Sequence, residues 1–96
     1  MMLLITYDVN VVSEGGASRL RKISKVCVNY GQRVQNSVFE CVVDYGTFLI
    51  LKKQLLDIYD PKTDSLRFYT LGNKWNKKVE HYGAKDTYDP TDLLMI

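Results

Sequence analysis

Met2-Leu3-Leu4-Ile5 is a run of four apolar residues with no polar break, and Thr6-Tyr7-Asp8 closes it. A run this short, ended by a turn, suits a strand buried on both faces of a sheet. Such a strand is central, so the rest of the chain must build a sheet around it and cover it. The strand also delivers a carboxylate, Asp8, at its carboxyl end, just before Val9-Asn10 and a loop containing Gly15-Gly16. In sheets crossed by helices these ends are frequent sites of chemistry. An aspartate there can equally close a turn by accepting hydrogen bonds from nearby amides.

Asn10 to Gly16 reads as a loop, with Ser13 or Ser18 available to cap a helix. Ala17, Leu20, Ile23, Cys27 and Tyr30 then recur at helical spacing, and Arg19, Arg21, Lys22 and Lys25 fall largely off that face. Gly31 is placed to end this helix in a left-handed cap. Val34, Asn36 and Val38 alternate in one phase, and Phe39, Cys41 and Val43 in the other. The change of phase predicts two strands with a bend or tight turn at Asn36-Ser37. Phe48, Leu51, Leu55 and Ile58 define a second helix, with Leu49, Ile50 and Leu56 broadening its apolar face and Asp60-Pro61 stopping it. Lys62-Thr63-Asp64 reads as a turn and Ser65 to Leu71 as a strand, broken by Gly72-Asn73.

The order is strand, helix, strand, strand, helix, strand. That is the ferredoxin-like βαββαβ pattern, an α+β fold with one four-stranded antiparallel sheet and both helices on one face. The opposite face lacks a helix. Val79-Glu80-His81-Tyr82 looks like an extra strand, and Leu93-Leu94-Met95-Ile96 is wholly apolar. We expect residues 1–96 to form a single domain and 79–96 a C-terminal strand extension used in dimer or partner contact, most economically against a second copy. Folding back on the same chain is the alternative.

The 96 residues bury roughly 60–65% of their unfolded surface, enough to fold alone with a thin margin that dimerisation would relieve. No apolar run approaches the ~20 residues that span a bilayer, so no membrane contact is expected. The start lacks the basic region and small-residue cleavage site of a signal peptide, and a cytoplasmic location is expected. Cys27 and Cys41 sit in apolar patterns and read as small buried side chains. A net charge of +2 says little, but its distribution says more. Arg19, Arg21, Lys22, Lys25 and Arg33 lie between Glu14 and Glu40 with no acidic residue among them, and Lys74, Lys77 and Lys78 form a second group. This asymmetry offers a positive face to a polyanion, with a merely solvated helix face as the bland alternative.

No P-loop, no G-x-G-x-x-G after the first strand and no C-x-x-C is present, and His81 has no nucleophile to serve. Val38 to Val43 lacks the aromatic consensus of an RNA-recognition module. One carboxylate is a poor Mg²⁺ site by itself. Two copies of Asp8 brought together by a twofold axis could share an ion with waters and a phosphate. A sheet-based sensor of small ligands is the remaining, unrelated reading.

Leu4-Ile5-Thr6-Tyr7-Asp8-Val9, Gly31 to Cys41, Asp64 to Tyr69 and Leu71-Gly72-Asn73 resemble the CRISPR-associated protein two family, and the resemblance spans nearly the whole chain. It implies a homodimer of ferredoxin-like subunits with Mg²⁺- or Mn²⁺-dependent endonuclease activity on single-stranded RNA or double-stranded DNA. Asp8 is the implied metal ligand, and Tyr7 stands beside it in the catalytic set. Arg19, Arg21, Arg33 and Phe39 match positions around the cleft, and we add Lys77 and Lys78 to the nucleic-acid face on charge. The resemblance also implies a larger CRISPR integrase as partner during spacer acquisition. In that complex the small dimer could be a non-catalytic adaptor that bridges integrase dimers and measures the DNA.

Overall fold

The computed structural model describes residues 1–71 and 77–84, with the backbone alone for 77 and 78. Its elements are β1 (Met2–Asp8), α1 (Gly16–Tyr30), β2 (Gly31–Gln35), β3 (Val38–Val42), α2 (Tyr45–Leu56), β4 (Ser65–Leu71) and β5 (Lys77–Gly83). They form one antiparallel sheet in the order β2-β3-β1-β4-β5. Without β5 this is the ferredoxin-like arrangement, and β1 is central as its composition requires.

Alternation along the strands sorts side chains onto two faces. Leu3, Ile5 and Tyr7 of β1, Phe39 and Cys41 of β3 and Leu66 and Phe68 of β4 join Ile23 and Cys27 of α1 and Phe48, Leu51 and Leu55 of α2 in one core. Both helices therefore cover the same face. The other face carries Met2, Leu4 and Thr6, which are half-buried, and Asp8, which is exposed. The apolar run thus has one fully buried face rather than two in the single chain.

Asp44 caps α2, its carboxylate accepting from the Thr47 amide at 2.7 Å. The helix ends at Leu56, before the expected stop at Asp60-Pro61, because Ile58 N–H tightens onto the Leu55 carbonyl and Asp60 N–H is captured by the Asp64 carboxylate. Leu49 and Ile50 are exposed, since Phe48, Leu51 and Leu55 already fill the sheet side of the helix. Neither Ser13 nor Ser18 caps α1. The cap residue is Gly15 in the left-handed region, φ 73°, and the Ser13 hydroxyl donates to the Asn10 carbonyl.

Gly31 does not adopt the expected left-handed cap. Its backbone is extended and it opens β2 directly, with its N–H donating to the Cys27 carbonyl. Glycine is needed there for space: a β-carbon would overlap the Cys41 sulfur and the Glu40 carbonyl oxygen on β3. The bend expected at Asn36-Ser37 is the β2–β3 turn, and the pairing shifts register between Arg33 and Gln35.

The C-terminal strand pairs with its own chain here, in register from Ser65 opposite Gly83 to Leu71 opposite Lys77. Lys52 Nζ bonds Glu80 at 3.0 Å, the Tyr82 hydroxyl donates to the same carboxylate at 2.9 Å, and Tyr82 meets Phe68 edge to face. The alternative fold-back is therefore the arrangement of β5 in the isolated subunit. Leu93 to Ile96 lie outside the described residues.

Candidate active site

The carboxyl end of β1 gathers most of the residues singled out from the sequence, but on two sides of the sheet. Asp8 pairs with Ser65 of β4 and is exposed on the face away from the helices. Tyr7, one residue earlier, points to the helix side. It is 5% exposed, its ring stacks on Phe39 with centroids 6.2 Å apart, and its hydroxyl donates to the Asn36 carbonyl at 3.3 Å. Period two forces this separation, so Tyr7 and Asp8 do not share a surface. Tyr7 belongs to a packed aromatic pair at the root of a cleft.

That cleft has a volume of about 400 Å³ and is lined by Tyr7, Ala17, Leu20, Arg21, Ser24, Arg33, Asn36 and Ser37. Among the described residues no acidic side chain lines it. Arg33 is held in place: its guanidinium donates to the Asn36 carbonyl and the Ser24 hydroxyl and lies 4.8 Å from the centre of the Phe39 ring. Phe39 itself is fully buried and acts as the platform beneath Arg33. Arg21 is exposed at the rim. Arg21, Arg33 and the Ser24 hydroxyl share the cleft lining, and guanidinium groups are suited to binding phosphate oxygens.

Arg19 is placed differently. Its Nε bonds Asp64 at 2.7 Å, and its other nitrogens donate to the Glu14 carbonyl and the Ser13 hydroxyl, each at 2.6 Å. These bonds turn it inward, away from Arg21, as expected for helix positions about 200° apart. The Arg19 guanidinium is thus held in an internal ion pair with Asp64. Lys77 and Lys78 stand opposite Leu71 and Thr70 in the β4–β5 ladder, and their side chains lie outside the described residues.

In the sequence Asp64 reads as part of a turn and as the first residue of the family-like segment Asp64 to Tyr69, with no site role. It is buried, and it accepts from Arg19, Asn10 N–H, Asp60 N–H and Thr63 Oγ1. Burial by itself would raise its pKa, but the Arg19 guanidinium and the two amides outweigh burial and hold the carboxyl below the ordinary range. No local signal marks it, because Arg19 lies 45 residues away.

Among the described residues no group of three or more His, Cys, Asp and Glu could hold a metal ion. Asp8 stands at the carboxyl end of β1 on the face away from the two helices.

Residues 1–79 match the family model described as CRISPR associated protein Cas2. The chain belongs to the Cas2 family. It is 56% identical to a CRISPR-associated endonuclease Cas2 of Halalkalibacterium halodurans, over the full length of both chains. It is 53% identical to a CRISPR-associated endoribonuclease Cas2 of Chlorobaculum tepidum, again over both full lengths. A crystal structure of Streptococcus pyogenes Cas2 superposes with a TM-score of 0.70 at 57% identity, covering 78% of this chain and 90% of that one. The Cas2 likeness covers β1 to β4, the region that supplies Asp8, the arginine cleft and the helix-side core. No helix among the described residues is long and apolar enough to cross a membrane.

Proposed function

We propose that this Cas2 chain is a metal-dependent endonuclease that cleaves phosphodiester bonds in RNA or double-stranded DNA and serves CRISPR adaptation in the cytoplasm. The observation that carries the reading is the exposure of Asp8 at the carboxyl end of the central strand, on the face away from α1 and α2. Relatives that align with the chain end to end are named endonuclease and endoribonuclease, which supports the same chemistry here.

Mg²⁺ is commonly held by one or two carboxylates, with waters and substrate phosphates filling its octahedron. A single Asp8 fits half of such a site, so we propose a homodimer in which two copies of Asp8 face one cleft and hold Mg²⁺ or Mn²⁺. The ion would polarise the phosphodiester and acidify a bound water. Arg21 and Arg33 would grip the backbone phosphates beside the scissile bond and hold the strand in register. Phe39 and Tyr7 would keep Arg33 in position from below. A strand bending round the end of β1 would meet the arginine cleft on one side and Asp8 on the other.

One observation favours a second reading. The arginine cleft and Asp8 lie on opposite faces, so DNA could be gripped without reference to the carboxylate. In that reading the dimer is a non-catalytic adaptor that bridges dimers of a CRISPR integrase and sets the length of DNA inserted. Purified wild-type protein and Asp8→Asn should be compared for Mg²⁺- and Mn²⁺-dependent cleavage of RNA and duplex DNA. The nuclease reading expects Asp8→Asn to lose cleavage by about 100-fold or more, since even outer-shell partners of a metal are worth 10- to 100-fold. Equal cleavage by both proteins would sink it. The adaptor reading expects spacer acquisition to survive Asp8→Asn and to fail in Arg21→Ala/Arg33→Ala, whose DNA binding should lose about 0.9 per lost contact from the slope of log affinity against log salt.

A further inference from the structure

Asp8 is the last residue of β1, and the chain beyond it is tied down at several points. Asn10 N–H donates to Asp64 Oδ1 at 3.0 Å. Ser13 N–H and Oγ both donate to the Asn10 carbonyl, and Val12 N–H donates to Asn10 Oδ1. Arg19 holds the far side of the loop through Ser13 Oγ and the Glu14 carbonyl, and reaches Asp64 through Nε and Nη2. Gly16 lets α1 start hard against this loop, for a β-carbon there would overlap the Asn10 carbonyl oxygen. On the other flank of Asp8, Asp64 is the residue immediately before Ser65, the ladder partner of Asp8.

The Asp64 side chain is fully buried and that of Arg19 is 14% exposed. A buried ion pair adds little net stability over a well-packed apolar pair, because desolvation offsets the attraction. It does fix geometry, since an Arg fork accepts few alternative arrangements. This fork bonds residues on both chain segments that flank Asp8.

We propose that Arg19 and Asp64 form a clamp that positions the loop leaving Asp8, with Arg19 acting through Asp64 and the loop instead of on a phosphate. The inference rests on the reading of Asp8 as the metal-binding carboxylate. Both residues are positioning residues, and neither touches the reacting atoms.

Three readouts on the full-length protein test the clamp. Arg19→Gln should lower kcat for Mg²⁺-dependent cleavage about tenfold while KM changes by less than about threefold, within the range of outer-shell losses. Its salt slope for binding a duplex DNA oligonucleotide should match wild type, because no phosphate contact is lost. Amide hydrogen exchange at residues 9–16 should accelerate, with the rates of β1 and β3 unchanged. Arg19→Lys keeps the charge and loses the fork, so it should resemble Arg19→Gln. Asp64→Asn should show the same pattern, and if it does not fold the two Arg19 variants decide.

Wild-type kcat in Arg19→Lys, together with a slope reduced by about 0.9 in Arg19→Gln, would overturn the clamp and make Arg19 a phosphate contact. Undiminished cleavage in Asp8→Asn would defeat the metal reading instead. The exchange rates then judge the clamp alone: acceleration at residues 9–16 in Arg19→Gln supports it, and unchanged rates overturn it.

Discussion

A β-carbon at position 31 has nowhere to go. One neighbour is the Cys41 sulfur and the other is backbone, the Glu40 carbonyl. Gly31→Ala should therefore destabilise the chain by about 1–3 kcal/mol in denaturant unfolding, and Cys41→Ala should restore only part of it, because the carbonyl cannot be trimmed. Asp64 carries a different signature. Its pKa is held down in the folded chain, so its contribution to stability is present above the unfolded value of about 3.9 and is lost as pH falls through the folded value. Unfolding midpoints measured from pH 7 down to pH 2 should fall less steeply below about pH 4 in Asp64→Asn than in wild type. Burial of Cys27 and Cys41 was legible in the sequence, and burial pushes the Cys27 thiol up to about 12, with Cys41 nearby adding to the effect. The need for glycine at 31 and the pairing of Asp64 with Arg19 were not legible. Both arise between residues that are distant in sequence and meet only when α1, β3 and β4 have packed.

At the scale of elements, periodicity located both helices and the strands, and the phase change near Ser37 located the β2–β3 turn. It also sorted α2, since Phe48, Leu51 and Leu55 of the helical stripe are buried while Leu49 and Ile50 beside it are exposed. Leu51→Ala should cost about 2–5 kcal/mol in equilibrium unfolding, whereas Ile50→Lys should stay within about 0.5 kcal/mol. Comparable losses at both positions would mean that the outer side of α2 is covered in solution. At the start of α1 the cap residue is Gly15, two residues beyond Ser13, and the Ser13 hydroxyl instead donates to the Asn10 carbonyl and accepts from Arg19.

In the whole molecule, one sheet face is closed by two helices, and on the other Met2, Leu4 and Thr6 of β1 are half-buried beside exposed Asp8. If two copies meet over this open face, as proposed, Leu4→Arg should shift sedimentation toward the monomer. The melting temperature of wild type should rise with protein concentration, and that of the variant should not. The sequence by itself determined the ferredoxin-like order of elements, the central place of β1 and the delivery of Asp8 to a strand end, because these follow from local period and punctuation. Tertiary structure alone decided that Arg33 rests on Phe39, and that Arg19 turns inward to Asp64 while Arg21 stays at the surface. Those outcomes depend on which buried partner each side chain finds across the sheet, and pairings between distant residues leave no periodic trace in the chain.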